Sequence, residues 1–244
     1  MSQARMPTKA MLLAAGLGTR MKPLTDHMPK PMVPVCGVSL VDRVLDWMAR
    51  AGIEEAVVNT HYMAAMLQAH LTARSGPPAI HISHEELLLE TGGGINKALP
   101  LLGTEPFFSA NSDTLCIDGA VPALARLAAA WNDDAMDALL LLHPREKATG
   151  YDGKGDFFLD SQGLRRRGEA PQAPYVFTGV QLIHPRLFDS APEGAFSMNL
   201  LYNRHIAPDG SLKRITGIVH DGHWLHVGDP AGLAQAEQWL RANR

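Results

Sequence analysis

Short apolar runs alternate along the first 145 residues with stretches whose apolar positions recur every three or four residues. The runs at 10–15 (AMLLAA), 54–60 (EEAVVNT), 79–84 (AIHISH), 105–110 (EPFFSA) and 136–143 have strand length and carry few charges. Between them the spacing predicts helices over 39–51, 63–74, 93–99 and 119–131. In the first of these, Leu40, Val44, Leu45, Trp47 and Met48 form the apolar face, Ser39 is placed to cap the start, and Gly52 follows the end. Strand and helix in strict alternation predict an α/β fold: a Rossmann-like, mixed but mainly parallel sheet with helices on both faces.

The later residues change character. A hairpin is expected over 155–168 across Ser161-Gln162-Gly163, a long strand over 175–184, and two more strands within 213–227 around Asp221-Gly222. A last helix over 230–242 opens on Pro230 and carries a stripe of Leu233, Ala236 and Leu240. Residues 1–7 read as a disordered tail and 8–244 as one domain, with no internal repeat. The Gly- and Pro-containing stretch 144–155 is expected to line a site rather than to separate domains.

Chemistry concentrates in residues 13–34, LAAGLGTRMKPLTDHMPKPMVP. A glycine turn directly after a buried strand lets backbone N–H groups face a ligand, so Gly16 and Gly18 are expected to turn the chain there. Arg20 adds a planar cationic fork, and Lys30, set between Pro29 and Pro31, adds a point charge on a stiff, extended segment. Two glycines and two cations after one strand suit a polyphosphate. The string is not a P-loop, since no G-x-x-x-x-G-K-[ST] occurs, and it lacks the third glycine of a dinucleotide fingerprint. At the end of the apolar run PFFSA the polarity flips to Asn111-Ser112-Asp113. That places a carboxylate beyond the carboxyl end of a central strand, where open α/β sheets bind ligands and where one Asp plus phosphates can hold Mg²⁺. A second glycine cluster, Gly92-Gly93-Gly94, is expected to leave N–H groups free toward a ligand at the start of a helix.

The string resembles the signature of the sugar-1-phosphate nucleotidyltransferases, L-A-A-G-x-G-T-R-x-x-P-L-T followed by P-K-P. The match falls on Leu13, Ala14, Ala15, Gly16, Gly18, Thr19, Arg20, Pro23, Leu24, Thr25, Pro29, Lys30 and Pro31. The resemblance implies the nucleotide-diphospho-sugar transferase type of fold, with a nucleotide-binding half over 8–143 and a sugar-binding half over 144–244. It implies that Leu13 to Gly16, Gly18, Thr19, Gly92, Gly93 and Asn111 bind nucleotide, that Arg20 and Lys30 act on the phosphates, and that Asp113 binds the metal. The form L-E-T-G-G-G-I is similar to the subgroup that joins N-acetylmuramate 1-phosphate to UTP, which implies a role in recycling cell-wall amino sugars. Glu169, Thr178, Gly179 and Asn199 stand in regions that line the hexose in such proteins. One departure is visible: the usual W-x-D-x-G-T-P is Trp224-Leu225-His226-Val227-Gly228-Asp229-Pro230 here, so the second metal position is His226. Imidazole is a poor Mg²⁺ ligand. Asp229 is expected to cap the final helix rather than to replace the missing carboxylate.

Composition narrows the partners. The chain has 244 residues, 46% hydrophobic and 19% charged, and a formal net charge of −3. This gives no basis for a nucleic-acid or membrane-surface partner. The one basic run, Arg165-Arg166-Arg167, reads as a solvated hairpin face. Two cysteines, Cys36 and Cys116, suit a reducing cytoplasm and no zinc site. Other readings keep the chemistry with GTP, dTTP or CTP, including phosphocholine with CTP, or make the chain a silent nucleotide-sugar sensor.

Overall fold

The computed structural model describes residues 6–206 and 214–243. Residues 1–5 of the expected tail lie outside them, while Met6 packs against the core. In chain order the strands are β1 (Lys9–Leu13), β2 (Pro34–Val35), β3 (Val38–Ser39), β4 (Glu55–Thr60), β5 (Ala79–His84), β6 (Phe107–Asn111) and β7 (Thr114–Ile117). They continue with β8 (Ala138–Pro144), β9 (Phe157–Asp160), β10 (Gly163–Arg166), β11 (Tyr175–Ile183), β12 (Ile215–Val219) and β13 (His223–His226). The helices are α1 (Leu40–Arg50), α2 (Ala64–Ala73), α3 (Glu90–Leu102), α4 (Ala123–Ala130), α5 (Met198–His205) and α6 (Pro230–Ala242). None of the described helices is long and apolar enough to cross a membrane.

Strands β5, β4, β1 and β6 lie side by side and parallel. Beside β6 the direction reverses: β11 pairs antiparallel with it and with β8, and β12 returns parallel to β8. The β9–β10 hairpin joins through Tyr175 and Phe157, completing a nine-stranded sheet. Alternate side chains leave opposite faces of a strand, so the sheet needs two cores. Leu12, Phe108, Leu139 and Leu141 enter one with Trp47 and Trp224; Met11, Phe107, Leu140 and Leu142 enter the other with Phe157 and Tyr202.

Local chemistry sets the element boundaries. Ser39 accepts from Asp42 N at 3.1 Å and starts α1 as expected. β1 ends at Leu13, earlier than the apolar run, because Ala14 N turns to a side chain instead of a strand partner. α3 is longer than its apolar spacing predicts, with all three glycines inside its first turns, and α4 begins only after Pro122. The strands around Asp221-Gly222 both exist but separate: β12 extends the main sheet, whereas β13 pairs with β7 in a second small sheet. The arginine run is not a solvated face. Arg165 pairs with Asp160, Arg166 lies 5.0 Å over the Phe157 ring, and Arg167 donates to Gly155 O and Ala170 O.

Candidate active site

A cavity of about 420 Å³ opens at the carboxyl ends of β1, β4 and β6. Leu13, Ala14, Ala15, Gly16, Gly18, Thr19 and Arg20, from the end of β1 and the glycine turn after it, line one wall. Of the two glycines, only Gly18 turns with a positive φ, +64°. A Cβ there would come within 2.9 Å of Lys30 Cβ and 3.0 Å of Thr25 Cγ2. Gly16 faces open space and does not have a positive φ, so its lack of a side chain serves approach from the cavity rather than the turn. Thr25 donates to Gly18 O at 2.9 Å, and Tyr62 donates to Thr25 O at 3.0 Å, which ties the loop to the segment before α2. Arg20 is exposed and makes no hydrogen bond or ion pair among the described residues.

Lys30 is carried by a 3-10 turn, Lys30–Met32, rather than by an extended segment. Its Nζ lies 2.7 Å from Asp113 Oδ2, with the two side chains 12% and 23% exposed. Burial, the largest single influence, opposes ionisation of Asp113, but the Lys30 ammonium, its hydrogen bond and the charges of His226 and Arg20 together outweigh it. The carboxyl is held below its usual range.

The β7–β13 ribbon is what brings Asp113 and His226 together. His226 pairs with Thr114, and Val227 N donates to Asp113 O at 2.9 Å. The His226 ring stacks on Trp224 at 5.6 Å between centroids and donates from Nδ1 to Gly150 O at 3.1 Å. Thus the 144–155 loop contacts His226, and neither its residues nor His226 itself lines the cavity. Gly228 does line it; a Cβ there would sit 2.4 Å from His226 Cε1. Asp229 accepts from Gly232 N at 2.8 Å and caps α6, as its position before Pro230 predicts.

The glycine cluster works differently from its expectation. Gly92 N and Gly93 N are not free: both donate to Phe196 O, at 2.8 and 3.0 Å. A Cβ on Gly92 would strike the Phe196 ring and one on Gly93 would strike Gly194 O, so these glycines let α3 pack on the segment before α5. The cavity wall on this side is instead Leu88, Glu90, Thr91 and Ser197. Thr91 Oγ1 accepts from Met198 N at 3.0 Å, which joins the starts of α3 and α5.

Of the residues expected at the sugar, none of Glu169, Thr178, Gly179 and Asn199 lines this cavity. Thr178 is fully buried, with its hydroxyl donating to Leu141 O and accepting from Val180 N. Gly179, at φ +84°, makes room for Asn111, whose Nδ2 would lie 2.7 Å from a Cβ; Asn111 is at the cavity. Glu169 is exposed in a turn, and Asn199 is exposed in the first turn of α5. Sequence reasoning missed Asn59, although a polar residue ending the apolar strand EAVVNT is the same signal that flagged Asn111 and Asp113. It also missed Thr91, Ser197 and Gly228, for which the sequence carries no comparable mark.

A family model described as nucleotidyl transferase matches residues 9–153. Over 245 residues the chain is 46% identical to the N-acetylmuramate alpha-1-phosphate uridylyltransferase of Caulobacter vibrioides, covering 98% of this chain and 99% of the relative. The protein of the same name from Neisseria meningitidis serogroup B is 32% identical over 94% of this chain and 96% of its own. Among solved structures, a UDP-glucose pyrophosphorylase complexed with UDP-glucose superposes with a TM-score of 0.76 at 19% identity, covering 97% of this chain and 99% of that one. An inositol-1-phosphate CTP transferase from T. maritima does so at 0.74 and 16%, covering 96% and 98%. At those identities the structures speak for the fold alone.

Proposed function

Because the chain belongs to the nucleotidyl transferase family, we propose that it is a uridylyltransferase that joins N-acetylmuramate 1-phosphate to UTP, giving the UDP-sugar and pyrophosphate. The observation that carries the chemistry is the convergence on one cavity, below the glycine turn, of the Lys30–Asp113 pair and of Arg20, which has no hydrogen-bond or ion-pair partner among the described residues. The full-length likeness to the uridylyltransferases supports the choice of substrates.

An oxygen of the sugar phosphate attacks the α-phosphorus of UTP in line, and the bond to the β-phosphate breaks, releasing pyrophosphate. A phosphate dianion is already a nucleophile, so the protein contributes position and charge rather than a covalent intermediate. Arg20 neutralises charge on the departing pyrophosphate. Lys30, held on Asp113 before substrate arrives, turns its remaining donors to the phosphates on both sides of the reacting phosphorus. Gly16, which leaves open space at the wall, lets the polyphosphate approach the backbone.

The donor set fits a hard cation that substrate helps to hold. Asp113 supplies one carboxylate, and among the described residues no group of three or more His, Cys, Asp or Glu side chains could cage a metal. Mg²⁺ commonly binds through one or two carboxylates with phosphates and waters. Asp113 would hold it, with His226 in the same ribbon, and the ion would neutralise phosphate charge.

The test is pyrophosphate release from UTP with Mg²⁺, comparing N-acetylmuramate, N-acetylglucosamine and glucose 1-phosphates and the other nucleoside triphosphates. Selective turnover of the muramate substrate with UTP is expected. Equal or better turnover with another pair would overturn the specificity, and nucleotide binding without release would overturn the enzyme.

A further inference from the structure

Glu85 is a carboxylate only 1% exposed, adjacent to the cavity yet outside its lining. Burying such a group is costly unless every acceptor is used. Here a directed chain of hydrogen bonds uses it. Ala14 N donates to Asn59 Oδ1 at 2.6 Å, Asn59 Nδ2 donates to Glu85 Oε1 at 2.7 Å, and Leu89 N donates to Glu85 Oε2 at 3.0 Å. The chain therefore runs from the root of the phosphate loop, through the end of β4, to the residue before α3. It also explains the third glycine: a Cβ on Gly94 would lie 2.8 Å from both Asn59 Nδ2 and Glu85 Oε1.

The bridge has a definite polarity. A carboxylate can only accept, so it fixes the Asn59 amide with Nδ2 toward Glu85 and Oδ1 toward the loop. Its far end grips Leu89, immediately before Glu90, a non-glycine residue held at φ +58° on the cavity wall. Left-handed backbone at such a residue is retained only where neighbours enforce it.

We propose that Glu85 and Asn59 are positioning residues that clamp the phosphate loop to the start of α3, setting the width of the nucleotide end of the cavity. For its choice of probe this rests on the uridylyltransferase reading. Asn59→Asp sets two carboxylates against each other, and Glu85→Gln leaves a donor facing either Leu89 N or Asn59 Nδ2. Combining them moves the carboxylate to position 59. It then accepts from Ala14 N and from the new amide, whose oxygen accepts from Leu89 N, so the chain is whole again.

UTP affinity by calorimetry, kcat and KM, and thermal melting are measured for the wild type, both single variants and the double variant. Each single variant is expected to weaken UTP binding and raise the KM for UTP by about tenfold or more, with a smaller change in kcat, and the double variant to return within about threefold of wild type. A folded single variant with wild-type UTP affinity overturns the proposal, as does a double variant no better than the worse single. If a single variant fails to fold, the double decides alone: wild-type melting without recovered UTP affinity would make the bridge purely structural. Because calorimetry reads binding without turnover, a wild type that binds UTP but releases no pyrophosphate would sink the proposed reaction and leave the bridge testable.

Discussion

Replacing Gly18 with Ala should do two separable things. Its φ of +64° lies in the left-handed region, where an L-residue pays about 1–2 kcal/mol. The new methyl would also sit 2.9 Å from Lys30 Cβ and 3.0 Å from Thr25 Cγ2, so one of them must yield by a few tenths of an ångström. Thr25 is tethered to Gly18 O, which leaves Lys30 to move, and its ammonium is the group 2.7 Å from Asp113. Gly18→Ala is therefore expected to lose about 2 kcal/mol of stability and about tenfold or more in kcat/KM. Gly16→Ala is the control: with open space and no positive φ, it should unfold within about 0.5 kcal/mol of wild type, so any activity it loses reports on ligand approach. Urea unfolding at constant m-value, with initial rates on the same preparations, separates the two effects. If Gly18→Ala unfolds at the wild-type midpoint, the turn does not need its glycine and the reasoning fails.

Lys30→Ala and Arg20→Ala should each reduce kcat by about a hundredfold or more while leaving the far-ultraviolet circular dichroism intact; near-normal rates would remove these residues from the phosphate chemistry. Asp229→Ala should cost about 1 kcal/mol by removing the cap of α6, and rates per folded molecule should stay within about twofold. A larger fall in rate would make Asp229 part of the site. Acid should destabilise the protein through His143, which is 1% exposed. Burial first, then the positive charge of His220, pushes its pKa from 6.5 down to about 4. The unfolded chain takes up that proton below about pH 6.5 and the folded one does not, so stability present above 6.5 drains away toward pH 4, by about 3 kcal/mol in all. His220, also lowered by burial, adds to the same trend. Urea midpoints between about pH 7 and pH 4.5 should fall in the wild type and fall less in His143→Gln; parallel slopes would refute the assignment.

The parallel half of the fold was legible because its signals are local. Apolar runs, Ser39 before α1 and Pro230 at the first position of α6 each state their own structure within a few residues. The glycine turn after β1 was legible for the same reason. What the residues could not disclose were contacts between distant segments. The three glycines at 92–94 look like ligand-facing amides until Phe196, Gly194 and the Asn59–Glu85 bridge are placed against them. Thr178 looks like a free hydroxyl until β8 supplies Leu141 O. Arg165 and Arg166 look solvated until the rings of Phe158 and Phe157 lie beneath them, and Arg167 until Gly155 O and Ala170 O accept from it. Likewise, nothing near Asp221-Gly222 says that the strands on either side join different sheets.

The pairing of β7 with β13 gives the site an order of assembly. Asp113 and the glycine loop are synthesised early, but the backbone partner of Asp113 is Val227, and the strand beside β6 is β11 from the later part of the chain. A nascent chain ending near residue 143 would thus carry the loop and its cations without the strand that closes the sheet beside them. Such long-range closure is slow to form and stabilises little until complete. A chain cut between residues 143 and 144 should accordingly yield two fragments that regain a site only by associating, since that point lies within β8, inside the main sheet, and not between folding units.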